Sequence, residues 1–213
     1  MSSDNLEIEV KFFVADESII RDRLLAIGAV SEGRAFERNI RFEDAEKTLY
    51  RRRSLLRLRR DATCTLTLKS APPEENPDFK IFRELETEVG NFETMAEILS
   101  GLGFHQEQIY EKWRETLRIE NTLFCLDTLP FGNFIEIEGA GTDIRHYADR
   151  LDLPWPCRIL KNYLRIFDLL KDRIGFSFSD VTFQNFQTVE LDLSRHLDLL
   201  LAEDPKHSDC GAR

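Results

Sequence analysis

The chain alternates apolar and charged residues at a period of two, again and again, and the charged positions are almost all strong acids or bases. Residues 6–14 place Glu7, Glu9 and Lys11 on one face of a strand and Leu6, Ile8, Val10 and Phe12 on the other. Arg57 and Arg59 share a face within 54–60, Thr65, Thr67 and Lys69 within 63–70, and Glu84, Glu86 and Glu88 within 79–89. Lys112 and Arg114 repeat the pattern in 106–119, Asp127 charges the strand at 122–128, and Glu136 with Glu138 reproduces the first carboxylate pair in 132–139. One such strand is what a solvated sheet face looks like. So many of them, with so little Ser or Gln mixed in, point to a second arrangement. The strands close into a barrel, the apolar faces bury against outer helices, and the charged faces line a wet interior. That interior must pair its charges with one another or with a ligand, because bare buried charge is prohibitive. Periodicity alone leaves open which face is inside.

The segments between the strands read as helices. Asp16 can cap a helix to about Ala29 with Ile19, Ile20, Leu24, Leu25 and Ile27 as its apolar stripe. A second runs from about Phe92 to Leu102 and is closed by Gly103; a short one is expected near 143–151 and another at about 162–173. Residues 34–43 and 157–161 look extended, and 71–77, rich in proline, is a loop. Past residue 176 the pattern weakens to a Phe-rich stretch, a helix near 188–202 and a polar end expected to be disordered. The element order predicts an α+β fold around an antiparallel sheet.

Charge narrows the function. Lys plus Arg is 29 and Asp plus Glu is 39, a net −10 in 213 residues. Such a chain is a poor general binder of nucleic acid or of an anionic membrane. No apolar run approaches the roughly 20 residues of a membrane helix. The start, Met1 to Asn5, lacks a basic and apolar signal, so the expectation is a soluble cytoplasmic protein. Cys64, Cys125, Cys157 and Cys210 form no Cys-x-x-Cys pair and are expected as reduced thiols, and the four histidines are scattered. One segment opposes the net charge: 51–60 carries six arginines and no acid. Arginine concentrated in an acidic chain suits a compact anion. Paired carboxylates offer hard oxygen ligands for Mg2+ or Mn2+, and Arg and Lys give charge-assisted bonds to phosphate. Both kinds facing one cavity would suit a metal–polyphosphate complex.

At these residues the chain resembles a known family. Glu7-Ile8-Glu9-Val10-Lys11 looks like the ExExK signature of the CYTH superfamily, the triphosphate tunnel metalloenzymes, which includes class IV adenylyl cyclases, thiamine triphosphatases and inorganic triphosphatases. The similarity continues in order through Leu56-Arg57-Leu58-Arg59, Leu66-Thr67-Leu68-Lys69, Arg83-Glu84-Leu85-Glu86, Lys112-Trp113-Arg114, and Leu126-Asp127 followed by Gly132 to Glu138. Lys161 and Tyr163 fall where the family often has a final basic residue or a Ser-Tyr pair. The match covers about residues 5–170. Two departures stand out: Asn162 where relatives often have serine, and Ser70-Ala71-Pro72 in place of a common Gly-Pro.

The resemblance implies a closed antiparallel β-barrel, a triphosphate tunnel, with helices packed outside. It implies a tunnel domain over 1–175 and a C-terminal extension over 176–213. By resemblance, Glu7, Glu9, Glu136 and Glu138 are the metal carboxylates for Mg2+ or Mn2+. Lys11, Arg57, Arg59, Lys69, Lys112, Arg114 and Lys161 would grip the triphosphate, and Glu84 and Glu86 would tune the basic side. Lys11 and Asp127 are the candidate catalytic residues, Asp127 near the metal or the reacting phosphate. The expected partner is a small-molecule triphosphate. The activities implied are metal-dependent triphosphate hydrolysis, or ATP cyclisation to cyclic AMP and pyrophosphate, or binding without turnover. Arg51, Arg52 and Arg53 read as a solvated loop, Trp113 as outer packing, and Phe176, Phe178, Phe183 and Phe186 as a cover for the barrel or a homodimer surface.

Overall fold

A computed structural model describes residues 6–72 and 76–201. Met1 to Asn5, the middle of the proline loop, and the polar end with His207 and Cys210 lie outside the described residues. The elements are β1 (Leu6–Val14), α1 (Glu17–Ala26), β2 (Val30–Asp44), α2 (Thr48–Arg51), β3 (Ser54–Arg60), β4 (Cys64–Ser70) and β5 (Lys80–Glu88). They continue with α3 (Phe92–Gly101), β6 (Phe104–Ile119), β7 (Thr122–Leu129), β8 (Gly132–Glu138), α4 (Gly141–Arg150) and α5 (Tyr163–Ile174). Two 3-10 turns, Trp155–Cys157 and Leu193–Leu199, complete them.

The eight strands pair antiparallel in a closed ring of order β1-β5-β4-β3-β2-β6-β7-β8. β1 makes the closure by serving two partners. Leu6 to Glu9 pair with β5, and Glu9 to Val14 pair with β8. Past Glu9, the edge of β1 that β5 leaves is taken by Ile159, whose N–H donates to the Lys11 carbonyl at 2.7 Å. The extended piece expected at 157–161 therefore closes a backbone gap in the barrel wall.

The alternation now has a definite inside. Val10, Phe12, Ile135 and Ile137 face outward, where α1 supplies Ile20 and Leu24 and α4 supplies Ile144 and Ala148. On the far side of the ring, Ile40, Phe42, Leu56 and Leu58 pack against Phe92 and Leu99 of α3. A third cluster lies at one end of the barrel. There the inward rows turn apolar at Phe13 and Phe134, and α5 covers them with Tyr163, Leu164 and Phe167. The extension joins this cluster through Phe186, Leu193, Leu197, Leu200 and Leu201. Phe176 and Phe178 stack near Phe167, so these aromatics cover the α5 end. Among the described residues, no helix is long and apolar enough to cross a membrane.

Several details differ from the sequence reading. α1 stops at Ala26, because Ile27 ends the turn and Gly28 takes φ 97°, a left-handed conformation that favours glycine. β2 begins at Val30 and is interrupted by irregularities at Ser31/Gly33 and Arg41/Phe42. The expected helix near 188–202 is only a 3-10 turn over Leu193–Leu199. Cys64 and Cys125 are free thiols, but Cys157 is disulfide-bonded, which corrects the expectation of reduced cysteines. Trp113, by contrast, points outward as expected, 41% exposed, with its ring edge-on to Phe36 at 5.3 Å.

Candidate functional site

The inward faces of all eight strands enclose a cavity of about 370 Å³. Its wall carries seven bases, Lys11, Arg57, Arg59, Lys69, Lys80, Lys112 and Arg114, and eight acids, Glu7, Glu9, Glu37, Asp61, Glu84, Glu86, Glu136 and Glu138. Strand register sets where each one sits. Glu9 lies opposite Glu138 and Lys11 opposite Glu136 across the β1–β8 pair, so the two carboxylate pairs of the sequence become neighbours. Arg57 and Arg59 project from β3, diametrically across the ring, and Lys69 lies opposite Glu84 across β4 and β5.

Carboxylates crowd the β1–β8 side. One ligand oxygen from each of Glu7, Glu9 and Glu138 lies within 4.8 Å of the others. Three hard oxygen donors at that spacing fit an ion of the Mg2+ or Mn2+ class. Burial, together with Glu9, Glu7 and Glu136, pushes Glu138 up to about 7 against the pull of Arg114. Burial, Glu9 and Glu84 also raise Glu7 despite its salt bridge with Lys69. Glu9 goes the other way: burial opposes ionisation, but Lys80, Lys11 and Lys69 hold it below the usual range. Glu136 stands apart from the trio. It binds Lys11 and Arg114, and with Lys112 they outweigh burial and keep it well below the ordinary carboxylate range.

The basic side is partly satisfied from within. Arg57 donates to Thr67 at 3.3 Å and lies 3.7 Å from both Glu84 and Glu86. Its buried Nε–H has no hydrogen-bond partner among the described residues. Arg59 pairs with Asp61 at 3.0 Å. Glu37, 3% exposed, sits between Lys112 at 3.5 Å and Arg114 at 3.8 Å. Burial would raise it, but Lys112, Arg114, Arg59 and Arg57 pull it down to about 2.

Behind the wall lies a closed network around Asp127, which has no exposure. It accepts from Lys112 at 2.9 Å, from Arg114 Nε at 2.7 Å and Nη2 at 2.5 Å, and from the Tyr163 hydroxyl at 2.7 Å. The Tyr163 ring lies 4.1 Å from the Lys11 ammonium, so α5 contributes directly to the wall. Burial, with Asp127 and Glu136 nearby, keeps the Tyr163 hydroxyl protonated far above its ordinary value.

Twelve of the residues singled out from the sequence line this one cavity: Glu7, Glu9, Lys11, Arg57, Arg59, Lys69, Glu84, Glu86, Lys112, Arg114, Glu136 and Glu138. Asp127 lies behind it. Lys161 is directed elsewhere, donating to the carbonyls of Leu200 at 3.1 Å and Leu201 at 3.0 Å, where it ties down the extension. Glu37, Lys80 and Tyr110 also line the cavity and were not anticipated. The alternation already held two of them: Lys80 precedes Glu84 by four residues, and Tyr110 precedes Lys112 by two. Glu37 sits on a strand whose irregularities hide the period.

Comparison with known proteins gives a consistent picture. The CYTH domain profile matches residues 5–153. A Methanocaldococcus jannaschii protein named "Putative adenylate cyclase MJ0240" is 26% identical over 141 residues, 65% of this chain and 79% of that protein. The solved PH1012 protein of Pyrococcus horikoshii is 27% identical, with a TM-score of 0.63 over 74% of this chain and 96% of that one. A Hippeastrum protein, HpAC1, named "Putative adenylyl cyclase" and described as having a dominant triphosphatase activity, shares the fold at 20% identity. Its TM-score is 0.55, covering 79% of this chain and 96% of that one.

Proposed function

Because the chain belongs to the CYTH domain family, we propose that it is a divalent-metal-dependent triphosphatase acting on inorganic triphosphate or a small organic triphosphate, such as thiamine triphosphate or a nucleotide. The observation that carries this reading is the two-sided wall: three clustered carboxylates on β1 and β8 and paired arginines across the ring, all facing one cavity. The tunnel domain, 1–175, is assigned the chemistry.

In this reading Glu7, Glu9 and Glu138 hold the ion. When bound, a divalent ion offsets charge on the phosphate oxygens and polarises the phosphoryl group. Arg57, Arg59 and Lys69 grip the anion, and the unpartnered Nε–H of Arg57 is a donor left over for a phosphate oxygen. Lys11 and Arg114, preorganised by Glu136 and Asp127, stabilise charge that develops on the leaving phosphate. Water attacks the terminal phosphorus, the bridging P–O bond breaks, and orthophosphate leaves with diphosphate.

The name of the Methanocaldococcus relative favours a second reading, an adenylyl cyclase, in which a ribose hydroxyl attacks the α-phosphorus and pyrophosphate leaves. The cavity lining supports hydrolysis over cyclisation. It is dominated by charge, its apolar members are Leu55, Leu123, Leu164 and Cys125, and its two tyrosines are built into the wall, Tyr163 engaged by Asp127 and Tyr110 only 6% exposed, so no adenine platform is evident among the described residues. The test is a phosphate-release screen over tripolyphosphate, ATP, GTP and thiamine triphosphate with Mg2+ or Mn2+, with cyclic nucleotide assayed in parallel. Orthophosphate release supports the triphosphatase; cyclic AMP with pyrophosphate from ATP would replace it with the cyclase.

A further inference from the structure

Lys80 occupies a position that the hydrolytic reading leaves without a role. The β1–β5 register sets it directly opposite Glu9, on the last rung these strands share. Its ammonium is salt-bridged to Glu9 Oε1, with 15% of the lysine side chain and 5% of the glutamate side chain exposed. The Phe82 ring lies 5.1 Å away. Glu9 is also the buried member of the trio whose oxygens lie within 4.8 Å of one another. A monovalent cation therefore sits on a carboxylate that the ion would use. At this separation in a part-buried site, a divalent ion and an ammonium on one carboxylate repel strongly. Lysine is suited to yielding, since its charge rides on a flexible four-carbon stem, and the cavity gives it room.

We propose that Lys80 is a built-in competitor for the divalent ion. In the ion-free protein it neutralises Glu9; for the ion to bind, Lys80 must release Glu9, and its ammonium then turns into the cavity as an added phosphate-binding charge. The proposal rests on the reading of Glu7, Glu9 and Glu138 as ion ligands. It makes ion affinity lower than the three carboxylates alone would give, and it couples ion binding to anion binding.

The test is a calorimetric titration with Mn2+, with no phosphate present, of the wild type, Lys80→Met and Lys80→Arg. Lys80→Met should bind Mn2+ tighter by about 10-fold or more, whereas Lys80→Arg, which keeps the charge, should stay near the wild type. Saturable binding with equal or weaker affinity in Lys80→Met overturns the competitor role alone. No saturable binding by any of the three proteins overturns the ion-ligand reading and this inference with it. A second measurement uses the wild type, so it does not depend on a variant folding. Acetylation of Lys80 by acetic anhydride, followed by mass spectrometry, should accelerate when Mn2+ is added, and an unchanged or slower rate would overturn the proposal.

Discussion

Asp127 and Glu37 show how single carboxylates organise the basic wall. Asp127 is fully buried and holds Lys112, Arg114 and Tyr163 at once. Removing its charge takes a directly paired carboxylate from both Lys112 and Arg114 and leaves Glu37 and Glu136 to offset them, so Asp127→Asn should lower stability by about 3 kcal/mol in urea unfolding. A loss below about 1 kcal/mol, the scale of a solvated pair, would contradict this role. Glu37 makes a pH prediction. Its folded value of about 2 lies below its ordinary 4.5, so its contribution is complete above pH 4.5 and is lost as pH falls toward 2. The wild type should therefore lose stability more steeply across that window than Glu37→Gln, with parallel acid limbs as the contrary result. Much at this scale was legible beforehand, because strand parity alone puts Glu7, Glu9 and Lys11 on one face. What parity could not supply was depth. It gives Asp127 and Arg114 the same standing, yet one is sealed behind the wall and the other lines it.

Elements were legible to the extent that their burial is periodic. Seven strands carry charge on one face and grease on the other, and each appears close to its expected span. The start of β2 is exposed and irregular, so its first residues carry no such signal. α2 has four residues and enters through Lys47 at φ 53°, too short for any period to register. In the extension, Leu193 and Leu197 bury at helical spacing, but the segment winds as a 3-10 turn. α5 shows the converse case. At Asn162, where the family pattern often has serine, the helix keeps its cap, because asparagine caps a helix as well as serine does and here accepts from the Arg165 N–H at 2.8 Å. Asn162→Ala should cost about 1 kcal/mol in thermal or urea unfolding, whereas Asn162→Ser should be close to neutral. Equal stability of all three proteins would contradict the capping role.

For the whole molecule, the net −10 misdescribes what a ligand would meet. The cavity wall is close to balanced, seven bases against eight acids, and the bases that matter face inward. Closure of the ring was the step periodicity left open; it depends on β1 serving two partners and on Ile159 covering the exposed edge, contacts between residues roughly 70 to 150 positions apart that no local pattern encodes. A balanced wall gains little by admitting a bare polyanion, so a bound ion should strengthen triphosphate binding. In the function proposed above, the β1–β8 carboxylates hold that ion for hydrolysis. The most direct measurement is orthophosphate release from tripolyphosphate with Mg2+ or Mn2+, comparing the wild type with Glu9→Ala, each shown folded by circular dichroism. The wild type should turn over tripolyphosphate, a chelator should abolish that turnover, and Glu9→Ala should lower it by at least about 100-fold. A folded Glu9→Ala protein that turns over at the wild-type rate would contradict it.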